Sequence, residues 1–335
     1  MATAEQIKAL IKSYADRDDT RFCAVAMQVA ADQARRGKRD LAAEIQRLVD
    51  AIRHRSPISG LGSKIMPIAS PRGEVSELLF VEQPDVRLSS MVLSNRLRAK
   101  LERILQEQRR SSLLKAQNLH PRRKLLFVGP PGCGKTMGAA ALAGELGIPL
   151  LTVRMESLIT KFLGETSAKL ALVFQAISET RAVYLFDEFD SIGVERGASS
   201  DVGETRRILN TFLSLSEKVG GTSLLIAATN HATSLDKALF RRFDDFLEFP
   251  SPDDELIREL LFTRIGAHSL KAWRDEAETL AEVVSIARGF SFGDVAKCCD
   301  DALKKAVIED RQINAADLVE AIQERRRFLQ TAQTQ

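Results

Sequence analysis

A glycine-rich loop between an apolar run and a helix-forming stretch constrains this sequence more than any other feature. The loop Gly129–Thr136 reads GPPGCGKT and matches GxxxxGK[ST] at every fixed position. It follows the apolar run 124–128 and precedes the helical pattern of 137–146. Glycines let backbone N–H groups wrap around phosphates, and the helix N-terminus adds partial positive charge. The loop therefore predicts a nucleotide-binding strand–loop–helix unit.

Individual residues of this loop have predictable roles. Lys135 is expected to reach the β- and γ-phosphates of a nucleotide, and the Thr136 hydroxyl is expected to ligate Mg²⁺. The helix dipole and Lys135 are expected to favour the thiolate of Cys133. The predicted nucleotide-binding residues of this segment are Gly129, Pro130, Pro131, Gly132, Cys133, Gly134, Lys135, Thr136 and Met137.

Two later apolar runs end in polar residues that fit the chemistry of hydrolysis. The run 182–186 ends at Asp187 and Glu188, and the run 223–229 ends at Asn230. Carboxyl ends of parallel strands are the usual ligand-binding edge of such sheets. Asp187 is predicted to hold Mg²⁺, and Glu188 to act as the general base that polarises the attacking water. If its strand lies between the other two, Asn230 lies beside the γ-phosphate and orients that water.

The order of apolar runs and helical stretches predicts the fold. Runs between residues 124 and 250 lack in/out alternation and are separated by helices, which is typical of buried parallel strands. We therefore predict an α/β P-loop NTPase sheet wrapped by helices, with an all-helical C-terminal lid and a small helical N-terminal domain. The predicted division is 1–55 helical domain, 56–86 linker, 87–250 α/β nucleotide-binding domain and 251–335 lid. The N-terminal helices either bind a substrate or partner, or serve stability alone.

Composition narrows the classes of partner. The net charge of +3 over 335 residues is too close to neutral to indicate nucleic acid or a membrane. The sequence has no apolar run of about 18 residues and no signal-peptide core, so we expect a cytoplasmic protein. The four cysteines form no CxxC pair and the four histidines no HExxH motif, which argues against a zinc ribbon, a disulfide scaffold or a metalloprotease.

Four motifs in this order resemble the AAA family within the AAA+ ATPases. They are the loop Gly129–Thr136, the pair Asp187–Glu188, the pair Thr229–Asn230, and the run Leu235–Asp244. The last of these, LDKALFRRFD, is similar to the second region of homology of the family, LDxAxxRRFD. The resemblance covers about residues 87–310. It implies an ATP hydrolase that uses Mg²⁺ and works as a ring homo-oligomer, typically a hexamer.

The resemblance also implies that Arg241 and Arg242 are arginine fingers, which act on the ATP of the neighbouring subunit. Their ungapped arrangement is closest to the katanin and spastin group. A guanidinium supplied by a neighbour neutralises charge on the γ-phosphate only when the ring is assembled. The alternative is a solvated arginine pair.

The segment Lys161–Glu165, KFLGE, follows the second strand of the predicted sheet. It resembles the pore loop of AAA motors that translocate proteins. The resemblance implies that Lys161, Phe162 and Leu163 contact an extended polypeptide, since an aromatic ring offers apolar contact without demanding a particular side chain. The alternative is that Phe162 and Leu163 are core residues of the following helix.

Two segments resemble the adenine side of AAA sites. Gly289–Asp294, GFSFGD, is similar to the GxSGAD turn and implies that Gly293 lies near the nucleotide, although Phe292 stands where the family often has glycine. Ser90–Leu93 stands where family members offer backbone groups to adenine, which implies a contact from Val92. Four polar residues receive no catalytic role: Asp190, interpreted as a turn or capping residue, Arg206, Arg207 and His231.

The chain also resembles bacterial AAA ATPases encoded beside a subtilisin-like serine protease, in pairs associated with plasmid incompatibility and phage defence. The features that carry this likeness are the short helical head, the charged helix 94–110, and the runs KFLGETSAKL, YLFDEFDSIG and ALFRRFDD. The chain has no protease motif of its own. The leading hypothesis is an ATP-driven motor that remodels or translocates polypeptides. The alternatives are a nucleic-acid motor or loader and an ATP-gated assembly switch.

Overall fold

The computed structural model describes residues 27, 29–30, 73–159, 163–190, 201–231, 240–269 and 277–333. The chain divides into two compact units, residues 1–68 and residues 69–335. The three described residues of the first unit are helical. The other helical positions predicted for 1–55 lie outside the described residues.

A six-stranded sheet lies at the centre of the second unit, in the order β1-β3-β4-β5-β2-β6. The five strands from β3 to β6 in this order pair in parallel, whereas β1 pairs antiparallel with β3. The α/β class predicted from the non-alternating apolar runs is therefore confirmed. The strands are β1 (Leu79–Glu82), β2 (Lys124–Val128), β3 (Leu150–Val153), β4 (Val183–Phe186), β5 (Leu224–Thr229) and β6 (Asp245–Glu248).

Helices connect these strands and then form the C-terminal lid. Those of the sheet region are α1 (Val75–Leu78), α2 (Asn95–Arg109), α3 (Ser111–Ala116), α4 (Lys135–Leu146), α5 (Met155–Leu158), α6 (Leu163–Glu179) and α7 (Asp201–Lys218). Those of the lid are α8 (Asp254–Ser269), α9 (Ala277–Ala287), α10 (Phe292–Ile308) and α11 (Ala315–Gln333). Within the described part of the chain, none of these helices has both the length and the apolar character that crossing a bilayer requires.

The sheet is apolar on both faces, which explains the absence of alternation in its strands. In β2, Leu126 and Val128 pack in one core with helices α6 and α7, whereas Leu125 and Phe127 pack in the other core with α2 and α4. A third core holds the lid helices together. Burial on both sides fixes the register of β2, and with it the start of the loop that follows.

The predicted linker ends earlier than residue 86. Helix α1 and strand β1 belong to the sheet unit, with Leu78 and Leu79 buried in its core. Strand β1 pairs with β3 from Leu79 opposite Val153 to Glu82 opposite Leu150. The apolar run 77–82 (ELLFVE) inside this predicted linker can be read as a strand from the sequence, and β1 occupies its last four residues.

Candidate active site

The carboxyl ends of β2, β4 and β5 meet at the middle of the sheet. Strand β5 lies between β4 and β2, as the placement of Asn230 requires. A cavity of about 480 Å³ opens at this edge between the sheet and the lid. The predicted site residues that line it are Val92, Pro131, Gly132, Cys133, Gly134, Lys135, Thr136, Met137, Asp187, Glu188, Asn230 and Gly293.

Gly129 and Pro130, which are also predicted to bind nucleotide, contact Lys135 directly. They do not line the cavity, and their carbonyl oxygens accept hydrogen bonds from Lys135 Nζ at 2.7 and 2.9 Å. A Cβ atom on Gly129 would lie 2.0 Å from the carbonyl oxygen of Phe249, at the end of β6. Glycine is needed here because two backbone segments approach each other closely. The first two loop residues therefore support Lys135.

Lys135 joins the phosphate loop to the end of β5. Its ammonium also donates to Asn230 Oδ1 at 2.7 Å, so all three of its protons have acceptors. The side chain is buried, with 7 % of the residue exposed. Burial lowers the pKa of Lys135, and the charges of Asp187 and Asp190 oppose that shift. A phosphate bound in the cavity would compete for this ammonium with neutral oxygen atoms, which are weaker acceptors than an anion.

Thr136 and Asp187 present two oxygen atoms at the same point. Thr136 Oγ1 donates to Asp187 Oδ2 at 2.6 Å, and Asp187 Oδ1 accepts the N–H of Glu188 at 2.9 Å. Hydroxyl and carboxylate oxygens are the ligands that Mg²⁺ prefers, and Mg²⁺ usually takes only one or two from the protein beside phosphate and water. The donor set therefore fits the predicted metal.

Glu188 has a left-handed backbone, with φ of 50°. This conformation is uncommon for a residue other than glycine and costs on the order of 1–3 kcal/mol. The next residue, Phe189, is buried and donates its N–H to the carbonyl of Ala228 at 2.8 Å, which fastens the turn to β5. The Glu188 side chain is exposed and lines the cavity, where a carboxylate can accept a proton from water.

Asp190 helps to hold the turn that carries Asn230, a role that the sequence pattern did not indicate. The hydroxyl of Thr229 donates to Asp190 Oδ1 at 3.1 Å and accepts the N–H of His231 at 3.0 Å. Thr229 is fully buried, so these bonds hold the turn that carries Asn230. The interpretation of Asp190 as a turn residue is incomplete, because its charge also acts on Lys135. The signal in the sequence was its place just after Asp187–Glu188, at the same sheet edge.

The lid contacts the phosphate loop directly. Gly293 donates its N–H to the carbonyl of Gly132 at 3.0 Å, and a Cβ atom on Gly132 would lie 2.4 Å from Ser291 Oγ. Ser291 and Asp294 form a capping box at the start of α10. Arg325 of α11 donates to Asp294 Oδ1 at 2.7 and 3.0 Å. The turn that resembles GxSGAD is thus held between the phosphate loop and the last helix.

Cys133 differs from the prediction of a favoured thiolate. The residue is 3 % exposed and packs in the core that Phe292 borders. Burial raises the pKa of its thiol, and this outweighs a hydrogen bond with Ser251 and the charge of Lys135. The prediction was wrong because it counted the positive charges near the thiol and not the loss of water around it.

The lid contributes to the cavity lining residues of α8 that the sequence did not single out. Leu260, Thr263 and Arg264 line the cavity together with Val92, which packs against the lid core. Arg264 forms an exposed ion pair with Asp300 at 3.4 Å. The spacing of three and four residues on the first lid helix was the available signal, although any amphipathic helix has it.

Comparisons with known proteins agree with this geometry. The profile of the family described as "ATPase family associated with various cellular activities (AAA)" matches residues 125–251. The "Uncharacterized AAA family ATPase y4kL" of Sinorhizobium fredii is 32 % identical over 329 residues, covering 98 % of this chain and 96 % of that protein. The chain belongs to the AAA family of ATPases. It is therefore an enzyme that hydrolyses ATP.

Two further proteins match over shorter regions. The "Putative 26S proteasome regulatory subunit homolog" of Methanothermobacter thermautotrophicus is 32 % identical over 209 residues, which cover 61 % of this chain and 55 % of that protein. The crystal structure of the FIGL-1 AAA domain superposes with a TM-score of 0.58 at 21 % identity, covering 74 % of this chain and 86 % of that one. The likeness to the FIGL-1 AAA domain concerns the fold alone.

The arginine pair of this AAA ATPase lies away from the cavity of its own chain. Arg241 and Arg242 precede β6, and neither lines the cavity. Arg241 is exposed, whereas Arg242 is half-buried and forms an ion pair with Glu217 of α7. This position is compatible with action on a neighbouring subunit, which stays a prediction. The pairing of Arg242 with its own chain was not predicted.

The predicted pore-loop residues fall at the border of the described chain. Lys161 and Phe162 lie outside the described residues, and so does the side chain of Leu163. The backbone of Leu163 begins α6. Gly164 and Glu165 are exposed, and a Cβ atom on Gly164 would have no neighbour within 4 Å.

Proposed function

We propose that this AAA ATPase works as a ring of identical subunits, typically a hexamer, that remodels or translocates polypeptides. The observation that carries the hydrolytic part is the convergence of Lys135, Asp187, Glu188 and Asn230 on one cavity. The polypeptide part rests on the KFLGE segment and on the exposure of the residues that directly follow Leu163.

The residues of the cavity supply each function that ATP hydrolysis needs. Lys135 binds the β- and γ-phosphates, and Thr136 and Asp187 would hold Mg²⁺, which lowers the negative charge of the phosphates when bound. Asn230 orients a water molecule, and Glu188 accepts its proton as the water oxygen attacks the γ-phosphorus. The bond from that phosphorus to the β-phosphate oxygen breaks, which leaves ADP and inorganic phosphate.

The arginine pair is proposed to complete the site of the neighbouring subunit. Arg241 is exposed and lies outside its own cavity, which is the arrangement that a residue acting in trans requires. A guanidinium that reaches the γ-phosphate there stabilises the charge of the transition state. Hydrolysis then depends on assembly, so that ATP is consumed only by a machine able to act on a substrate.

Phe162 is proposed to contact the polypeptide, with Lys161 and Leu163 beside it. The similarity to a relative named as a proteasome regulatory subunit homolog supports polypeptide substrates. We also propose that a subtilisin-like serine protease is the partner, in a plasmid-incompatibility or phage-defence system. The net charge of +3 and the absence of an arginine in the turn 289–294 disfavour a nucleic-acid motor. An ATP-gated switch that moves no substrate is the remaining alternative.

The test is the effect of added polymers on the rate of ATP hydrolysis. A chemically unfolded, carboxymethylated protein is expected to stimulate the wild-type enzyme several-fold, and double-stranded DNA is not. Phe162→Ala is expected to lose the stimulation and to melt at the wild-type temperature, whereas Phe162→Tyr keeps much of it because a ring face suffices.

Two results would contradict this function. The first is stimulation by DNA and not by the unfolded protein. The second is full stimulation of a stable Phe162→Ala enzyme. If Phe162 is instead a core residue, truncation should destabilise the protein by about 3–5 kcal/mol and lower its melting temperature.

A further inference from the structure

The segment that carries the arginine pair is fastened to three different elements. Arg242, which precedes β6, forms an ion pair with Glu217 in the last turn of α7. Asp244 bonds to the backbone at the start of β2. Asp245 pairs with Lys100 of α2 and with Arg122. The segment is therefore anchored at Arg242, Asp244 and Asp245.

Asp244 makes the most direct of these connections. Its Oδ2 accepts the N–H of Arg123 at 2.7 Å and the N–H of Lys124 at 2.9 Å. Its own N–H donates to the carbonyl of Lys124 at 2.7 Å. One carboxylate oxygen therefore satisfies the backbone donors of Arg123 and of Lys124, the first residue of β2, the strand that leads into the phosphate loop. A carboxylate oxygen that accepts two backbone N–H groups is held in direction as well as in distance.

Arg241 is different from its neighbours in the segment. It is exposed and makes no ion pair with any residue in the described ranges. It precedes Asp244 by three residues, so its Cα lies within about 11 Å of the clamped position even in an extended chain. The turn from which its guanidinium extends is therefore held at its C-terminal end by the bonds of Asp244.

We propose that Asp244 is a positioning residue for hydrolysis in the neighbouring subunit. Its carboxylate fixes the turn 240–243 on β2, so that Arg241 is presented at a constant distance from the adjoining nucleotide site. The proposal rests on the proposed action of Arg241 in trans. Asp244 does not line the cavity of its own chain.

Two substitutions separate this role from a contribution of charge. Asp244→Ala removes the acceptor of both N–H groups. Asp244→Asn removes the charge but keeps an amide oxygen that can accept both. If Asp244 acts by positioning, the Asp244→Asn variant keeps its function, whereas the Asp244→Ala variant loses it. The matched reference is Arg241→Ala, which removes the guanidinium itself.

The experiment measures ATP affinity, turnover and complementation in mixed rings of the full chain. Asp244→Ala is expected to bind ATP within about twofold of wild type and to lose at least about tenfold in turnover, because small misplacements of a catalytic group are costly. Asp244→Asn is expected to stay within about threefold of wild type. Mixing Asp244→Ala with Glu188→Gln subunits is expected to restore activity, since the Glu188→Gln neighbour supplies a well-placed arginine to an intact site.

The outcomes distinguish this inference from the function on which it rests. If Arg241→Ala is rescued by Glu188→Gln and Asp244→Ala is not, only the role of Asp244 is wrong. If neither pair is rescued, action in trans fails, and the inference fails with it. Wild-type turnover in Asp244→Ala also overturns the role. If Asp244→Ala unfolds at a lower temperature than wild type, the test uses Asp244→Asn instead. Near-normal turnover of Asp244→Asn supports positioning, and a loss of turnover as large as that of Arg241→Ala contradicts it.

Discussion

The ammonium of Lys135 donates a hydrogen bond to the amide oxygen of Asn230 at 2.7 Å. This bond links the phosphate loop after β2 to the end of β5, across the point where the γ-phosphate is expected. An anionic phosphate oxygen is a stronger acceptor than an amide oxygen. ATP binding is therefore expected to draw Lys135 away from Asn230, and to leave that amide able to orient water.

Substitutions of Asn230 test this exchange. Asn230→Ala is expected to keep ATP affinity and to lower turnover by about two orders of magnitude, as removal of a comparable side-chain donor does elsewhere. Asn230→Asp is expected to weaken ATP binding as well, because a carboxylate holds Lys135 in an ion pair and repels the phosphates. Nucleotide titration and single-turnover hydrolysis separate the two effects. Equal ATP affinity in both variants would contradict the exchange.

Glu188 is predicted to serve hydrolysis and not binding. Glu188→Gln is expected to bind ATP normally and to turn it over two to four orders of magnitude more slowly, about 3–6 kcal/mol in the barrier. Lys135→Ala is the control, because it is expected to lose binding itself. The measurement is ATP retained on the protein alongside phosphate released. Turnover of Glu188→Gln near the wild-type rate would refute the role of the base.

The positions of the main chemical groups could be predicted because each follows a strand. The loop, the pair Asp187–Glu188 and Asn230 stand at the carboxyl ends of apolar runs, and a parallel sheet brings such ends together. What could not be predicted depends on contacts between distant segments. The bond of Thr229 to Asp190, and that of Asp244 to the start of β2, need the strand order before they can be seen.

Two other differences between the sequence-based predictions and the structure have local causes. The run 77–82 reads as a possible strand, but its place in the sheet beside β3 depends on a pairing that a four-residue strand does not reveal by its pattern. The state of Cys133 was misjudged because its burial depends on the lid, whose approach to the loop is not visible in the GPPGCGKT motif. Spacing predicts which residues meet, and it does not predict how much water remains around them.

Alkylation of Cys133 is expected to be slow at neutral pH. Since burial raises the pKa of this thiol, less thiolate is present near pH 7 than in an ordinary cysteine, and the rate should rise as pH rises toward that pKa. N-ethylmaleimide should inactivate the enzyme slowly, with protection by ATP, and Cys133→Ala should resist. Modification at pH 7 faster than that of a small free thiol would contradict the raised pKa. Equal inactivation of Cys133→Ala would point to another cysteine.

The contact of Arg325 with Asp294 is expected to stabilise the lid against the phosphate loop. Arg325→Ala should lower the stability by about 1–3 kcal/mol, as expected for a hydrogen bond to a charged group, and should weaken ATP binding. Arg327→Ala, on an exposed position of the same helix, is the control and should change neither. Equal effects of the two substitutions, measured by denaturant unfolding and nucleotide titration, would contradict the contact.

The same contact predicts a dependence on pH. Burial raises the pKa of Asp294, but hydrogen bonds from Ser291 and Arg325 outweigh it and hold the pKa below its usual value. A carboxyl with a lowered pKa in the fold contributes stability above its unfolded pKa, near pH 4, and loses it as pH falls through the folded value. The difference in unfolding free energy between wild type and Arg325→Ala should therefore shrink below about pH 4. A difference that stays constant down to pH 2 would contradict this origin.

The dependence of ATP turnover per subunit on protein concentration tests most directly whether Arg241 completes a neighbouring site. Turnover is measured across the range in which light scattering shows the ATP-bound Glu188→Gln protein passing from single subunits to larger assemblies. If Arg241 acts in trans, wild-type turnover per subunit rises over that range and then levels off, whereas turnover of Arg241→Ala stays low throughout although that variant assembles. Turnover that is constant with concentration, from a species that stays a single subunit with ATP, would contradict it.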